Sequence, residues 1–329
     1  MGMLKVSASP HMRSRATTTG IMLDVIIALV PALIMSVVYF GLRALILTAV
    51  CVITCILSEY ISRKVMKRQN TVGDLSAVVT GLLLAMNLPS TLPLWMAVFG
   101  CVVAIVVVKQ MFGGLGQNFV NPAITARIIL MTCFAADMSS WAVPFTSSLT
   151  DAVTQASPMA ALAKVCDGSV AIEEAGLPTL LQMFVGMRSG SMGEVCAVAL
   201  IIGGIYLVAR RVISPIIPLC FIGTVGIFML VYSGFDVVFT AYQLLGGGLL
   251  LGAIFMATDY VTSPMTKWGK VIFAVGCGLI TSVIRVFGSL PEGVSYSIIL
   301  MNIFVPHIEN FTRSKPFGFV KEKKEGKTA

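Results

Sequence analysis

The sequence predicts an all-α integral membrane protein. It reads as about ten transmembrane helices in two inverted five-helix repeats with short broken helices. Three observations predict this. Of 329 residues, 57% are hydrophobic and 12% charged, where soluble domains carry about 25% charged residues. The apolar residues gather into runs separated by polar turns. Lys and Arg collect in alternate turns, as the positive-inside rule requires of a multi-pass chain. That placement assigns the net charge of +8 to topology and excludes nucleic acid as a partner.

Residues 1–20 are polar and basic (Lys5, Arg13, Arg15) and are predicted cytoplasmic. The first repeat occupies 21–135. Its runs are 21–40, 44–57, 75–87, 94–108 and 123–135. Arg63, Lys64, Lys67 and Arg68 hold the second turn inside. The third run is short and ends at Leu88-Pro89-Ser90, so it reads as a broken helix. Residues 136–194 contain no spanning run. Asp151, Asp167, Glu173, Glu174 and Glu194 outnumber Lys164 and Arg188 there, which predicts an extracytoplasmic loop. The second repeat, 195–306, has runs at 195–208, 216–231, 242–257, 271–284 and 296–306. Residues 285–294 read as an outer turn and 307–329 as a basic cytoplasmic tail. Gly81-Leu82-Leu83-Leu84-Ala85 echoes Gly248-Leu249-Leu250-Leu251-Gly252 at matching places. An odd number of runs per half turns the second half over, and such folds place a site between the halves.

Eight cysteines form no CxxC pair, and His11 and His307 are the only histidines. Histidine catalysis and a protein-ligated metal are therefore not predicted. The stretch 151–162 is the polar punctuation of the chain. Ser157 is a helix N-cap, Pro158 suits the first helical position, and the helix is predicted to stop near Asp167-Gly168. A plain cap explains these residues, and the same N-terminus also holds a phosphate well.

Gly113-Gly114-Leu115-Gly116 has no strand before it, which removes a Rossmann reading. Gly113 and Gly114 serve a tight turn or the close approach of a ligand, and Asn118 and Asn121-Pro122 a turn and helix start. In Thr258–Thr266, Ser263 reads as the cap of a short helix, or Thr262 and Ser263 as pocket hydroxyls. Asp24, Asp74, Lys109 and Arg285 lie near helix ends and read as snorkelling groups. Arg127 lies within the fifth run and is the candidate to pair with an anionic group.

These motifs carry a resemblance. Residues 113–123, Asp151-x-x-Thr154-x-Ala156-Ser157-Pro158, Gly190-Ser191-Met192-Gly193-Glu194, and Ala257-Thr258-Asp259 through Pro264 stand in the order seen in one family. The chain resembles the D subunit of the Rnf ion-translocating electron-transport complex and the B subunit of the sodium-pumping NADH:quinone reductase. The resemblance implies FMN bound covalently through its phosphate to a hydroxyl in an Asp-x-x-Ser/Thr-x-Ala-Thr motif, installed from FAD by a flavin transferase. By position the acceptor is Ser157, where the family usually has threonine, with Thr154 as a weaker alternative. The resemblance further implies a second, non-covalent flavin such as riboflavin near the inner half, partner subunits of the complex, and transport of Na⁺ or H⁺ across a bacterial inner membrane. A channel or secondary transporter for a small solute is the competing reading, since broken helices in inverted repeats serve both.

Overall fold

The structure is a computed structural model that describes residues 17–145, 154–155, 157–166, 176–288 and 292–313. Every apolar run named above contains helix, and the run 242–257 is interrupted at 246–248. Thr17 caps α1 (Thr18–Phe40), its side chain accepting from the Gly20 N–H. Gly41, at φ 71°, turns the chain directly into α2 (Leu42–Val65). α3 (Ser76–Met86) is short, and α4 (Leu94–Val102) continues as a π-helical stretch, Val103–Gln110. Asn121 caps α5 (Pro122–Cys133) through the N–H groups of Ala123 and Ile124, with Pro122 first, as its sequence predicts. A single turn, α6 (Ala135–Met138), follows.

The central loop is more built than a solvated connection. β1 (Trp141–Ala142) pairs antiparallel with β2 (Thr154–Gln155), a two-residue ladder outside the all-α expectation. α7 (Pro158–Cys166) begins at the predicted cap. α8 (Leu180–Val185) opens with a reciprocal capping box between Thr179 and Gln182.

The second half runs through α9 (Ala197–Ala209), α10 (Ile216–Tyr232) and α11 (Val237–Leu245). Then α12 (Leu249–Leu251) continues as a π-helical stretch to Met256, bent 63° from α11. α13 (Lys267–Phe287) and α14 (Val294–Thr312) close the described chain. α1, α2 and α13 are long and apolar enough to cross a membrane alone, and the α11–α12 pair is a broken span or re-entrant loop.

The outer surface of these helices is apolar. On α1, Leu23, Ile27, Ile34 and Val38 are exposed while Ala28, Leu29, Ala32 and Ser36 are buried. That is a helix with a protein face and a hydrocarbon face. The buried face is lined with small residues where helices cross. A Cβ on Gly203 of α9 would stand 2.2 Å from the Ala28 carbonyl oxygen of α1, so glycine permits that crossing.

Two local expectations change. α13 runs past Arg285 to Phe287, so Arg285 is a buried helical residue and not part of an outer turn. Ser263 starts no helix. Thr266 caps α13 instead, accepting from the Gly269 N–H.

Candidate functional site

The ladder of β1 and β2 delivers the chain to Ser157. Ser157 is 6% exposed, and its Oγ accepts from the Ala160 N–H at 3.4 Å, the geometry of an N-cap. A cavity of about 390 Å³ opens beside it, walled by Ser157, Pro158, Lys164, Met187, Arg188 and Val143 among others. Cofactor sites span roughly 300–1,000 Å³, so the space suits one. Thr154 sits in β2, opposite Ala142. Asp151 and Ala156 lie outside the described residues.

Arg188 gives this cavity its charge. Its Nη2 donates to the Glu194 carbonyl at 2.7 Å and its Nη1 to Met183 Sδ at 3.9 Å, while its Nε is buried without a partner. Burial pushes the guanidinium pKa down, and Glu194 and Glu292 oppose that shift. Desolvation thus leaves a cation short of hydrogen bonds at the wall of the cavity. Together with Lys164 and the α7 N-terminus, it is a donor set for an anionic oxygen group such as a phosphate ester.

Below the cavity, α7 rests on the break between α11 and α12. A Cβ on Gly246 would stand 2.6 Å from Met159 Sδ, and Gly247 takes φ 63° against the same side chain. The helix end at this break is held by Arg285, whose Nη1 donates to the Gln243 carbonyl at 2.6 Å and whose Nη2 donates to the Gly246 carbonyl at 3.2 Å. Arg127 meets a carboxylate of the protein itself: it pairs with Glu292 and donates to Asn87 Oδ1 at 2.7 Å. Glu194 completes the cluster, 4% exposed. From the sequence, Arg188 and Glu194 read as loop charges, but both are buried. Glycines at 190 and 193 beside Glu194 are the available signal, since close backbone packing needs them.

The remaining predicted residues lie elsewhere. Gly113 and Gly114 take φ 130° and 104°, and the space a Cβ would need is filled by Gln117 and Arg63. They serve a turn. Asn118 lines a second cavity, of about 80 Å³, with Lys109, Asn121, Thr258 and Asp259. Thr262 and Ser263 are buried beside it, Thr262 Oγ1 donating to Asp259 Oδ2 at 3.3 Å. Burial pushes the Asp259 carboxyl pKa up. Lys109 does not snorkel: its Nζ lies 2.9 Å from Glu59 Oε2 and 2.7 Å from Ser76 Oγ.

The chain is similar to proteins of known assignment along nearly its whole length. Residues 5–318 match the model of the NQR2, RnfD, RnfE family. The D subunit of the Na(+)-translocating ferredoxin:NAD(+) oxidoreductase complex of Acetobacterium woodii is 48% identical, with 98% of each chain covered. The D subunit of the proton-translocating ferredoxin:NAD(+) oxidoreductase complex of Clostridium ljungdahlii is 42% identical, over 95% of this chain and 96% of that one. The D subunit of the ion-translocating oxidoreductase complex of Halorhodospira halophila is 35% identical, over 96% of each. An end-to-end match of this kind, on a helical membrane scaffold, leaves one assignment: the chain belongs to the NQR2, RnfD, RnfE family.

Proposed function

We propose that this chain is the D subunit of a membrane-bound, ion-translocating ferredoxin:NAD oxidoreductase, and that it carries FMN esterified to Ser157. One observation carries the flavin reading. The only hydroxyl in the family motif at a helix start, Ser157, opens into a cavity walled by Lys164 and Arg188. Bound flavin supplies one- and two-electron transfer, which no side chain here provides. Ser157 supplies the attachment oxygen. The α7 N-terminus and Arg188 neutralise the ester's charge, and Met159 ties the site mechanically to the α11–α12 break. Attachment from FAD forms the Ser157 Oγ–phosphorus bond, breaks the pyrophosphate and releases AMP. The transferase and the other subunits of the complex are the expected partners.

The reading includes ten spans in two inverted halves, both termini cytoplasmic and Ser157 on the outer side of a bacterial inner membrane. Packing supports it. α1 packs on α9 and α5 on α14, which pairs the first and last helices of each half with their counterparts. The relatives' names differ in the ion, so Na⁺ and H⁺ are both carried forward. A second, non-covalent flavin at the second cavity requires that space to widen well beyond its 80 Å³. The test is peptide mass spectrometry of the chain co-expressed with its flavin transferase. An FMN mass on the Ser157 peptide, lost in Ser157→Ala, is expected. An unmodified peptide from an active complex would overturn the reading.

A further inference from the structure

Glu194 is the one buried carboxylate below the cavity that lacks an ion pair among the described residues. The ion pairs found among those residues join Lys109 to Glu59, Arg127 to Glu292 and Arg210 to Asp24. Arg188, its neighbour, donates to the Glu194 backbone carbonyl. Glu194 Oε2 is buried with no hydrogen-bond partner. Both carboxylate oxygens face glycine: a Cβ on Gly190 would stand 2.9 Å from Oε1, and one on Gly248 3.5 Å from Oε2. The Gly248 position is also 3.3 Å from Arg127 Nη1. Glycines keep other side chains out of the space around this carboxyl. It is a close-fitting pocket around a group whose charge is not fully matched by the protein's hydrogen bonds.

An ionised carboxylate in such a place is costly, and a proton removes the cost. We propose that Glu194 is a proton-binding site, and that negative charge placed in the Ser157 cavity tightens its hold on the proton. Arg188 is the link, because it lines that cavity and also holds the Glu194 carbonyl. An anionic ester beside Arg188 offsets part of the positive field that favours ionised Glu194. The charged groups facing Glu194 are Arg188, Arg127, Arg285 and Glu292. Burial first, and then Glu292, push its carboxyl pKa up, against the opposing pull of Arg188, Arg127 and the Ser191 hydroxyl. The proton comes from and returns to water, so no further reactant is needed. The link to the cavity rests on the flavin reading above, while the proton site itself does not.

Infrared titration of the purified complex tests both parts. The carboxylic-acid band lost in Glu194→Gln is followed against pH in Ser157→Ala and in wild-type protein, with flavin content read by mass. Glu194→Asp keeps a carboxyl and is expected to keep a shifted band, which separates titration from misfolding. The expected result is a Glu194-dependent acid band in Ser157→Ala protein that persists to higher pH in flavinylated wild type. Absence of that band in Ser157→Ala protein overturns the proton site, whether or not flavin is attached. Equal midpoints with flavin confirmed overturn the coupling. An unmodified Ser157 in wild type overturns the proposed function and the coupling, and leaves the proton site standing.

Discussion

Two buried polar clusters are built to different standards. In the first, Glu59 and Lys109 satisfy each other. Glu59 Oε1 accepts from Gln110 Nε2 and Thr71 Oγ1, both at 3.0 Å, while Lys109 reaches Glu59 Oε2 and Ser76. Below Ser157, by contrast, Glu194 Oε2, Glu292 Oε1 and the Nε atoms of Arg127, Arg188 and Arg285 have no partner. Among the side chains named for the first cluster only Gln110 Oε1 lacks a partner, so the contrast is one of degree. The better-paired network locks helices together, and buried polar groups without partners are costly. The better-paired cluster holds the helices, and the other leaves charged atoms beside the Ser157 cavity.

The largest effect is expected from cutting the Glu59–Lys109 pair. Glu59→Ala leaves a buried, unpaired ammonium and is expected to cost about 3–5 kcal/mol, read as a lower thermal midpoint of the detergent-purified complex. A negligible change would remove the claim that this cluster is structural. A Gly247→Ala change strains a left-handed backbone position and presses on Arg285 Nη2, 3.1 Å from the new Cβ, for an expected loss of about 1–2 kcal/mol. Glu194→Gln in the second cluster is expected to shift stability by less than about 1 kcal/mol, since no ion pair is lost. If it matched Glu59→Ala, the two clusters would be equivalent after all.

The smallest expected effect is a pH dependence. The Asp259 carboxyl is raised by burial, so its stabilising contribution is complete below the ordinary carboxylate pKa of about 3.9 and is lost as pH rises through the raised folded value. The thermal midpoint of wild type should therefore fall relative to Asp259→Asn across that interval. Parallel curves would remove Asp259 as the titrating group.

The helices were legible because hydrocarbon contact writes itself into composition. The runs at 21–40 and 216–231 match α1 and α10 to within a few residues. The Asn121-Pro122 and Ser157-Pro158 caps were legible because a cap is local chemistry. The pairings were not. Glu59 finds Lys109 across 50 positions and Arg127 finds Glu292 across 165, and nothing local to either residue announces its partner. Arg285 looked like a snorkelling end group because its partners are backbone carbonyls on another helix, which carry no sequence signature. The burial of Glu194 was not legible for a related reason. A loop charge count gives a side of the membrane and says nothing of burial, and the described residues around Glu194 pack onto the protein.

Arg285 also ties the break to a helix that comes later in the chain. A helix broken in hydrocarbon exposes carbonyls that lipid cannot satisfy. Here the donor for the Gly246 carbonyl arrives 39 residues later in the chain. Until α13 stands beside the bent α11–α12 element, the Gly246 carbonyl lacks this donor. The break is thus completed by a residue of another helix, and α11, α12 and α13 depend on one another.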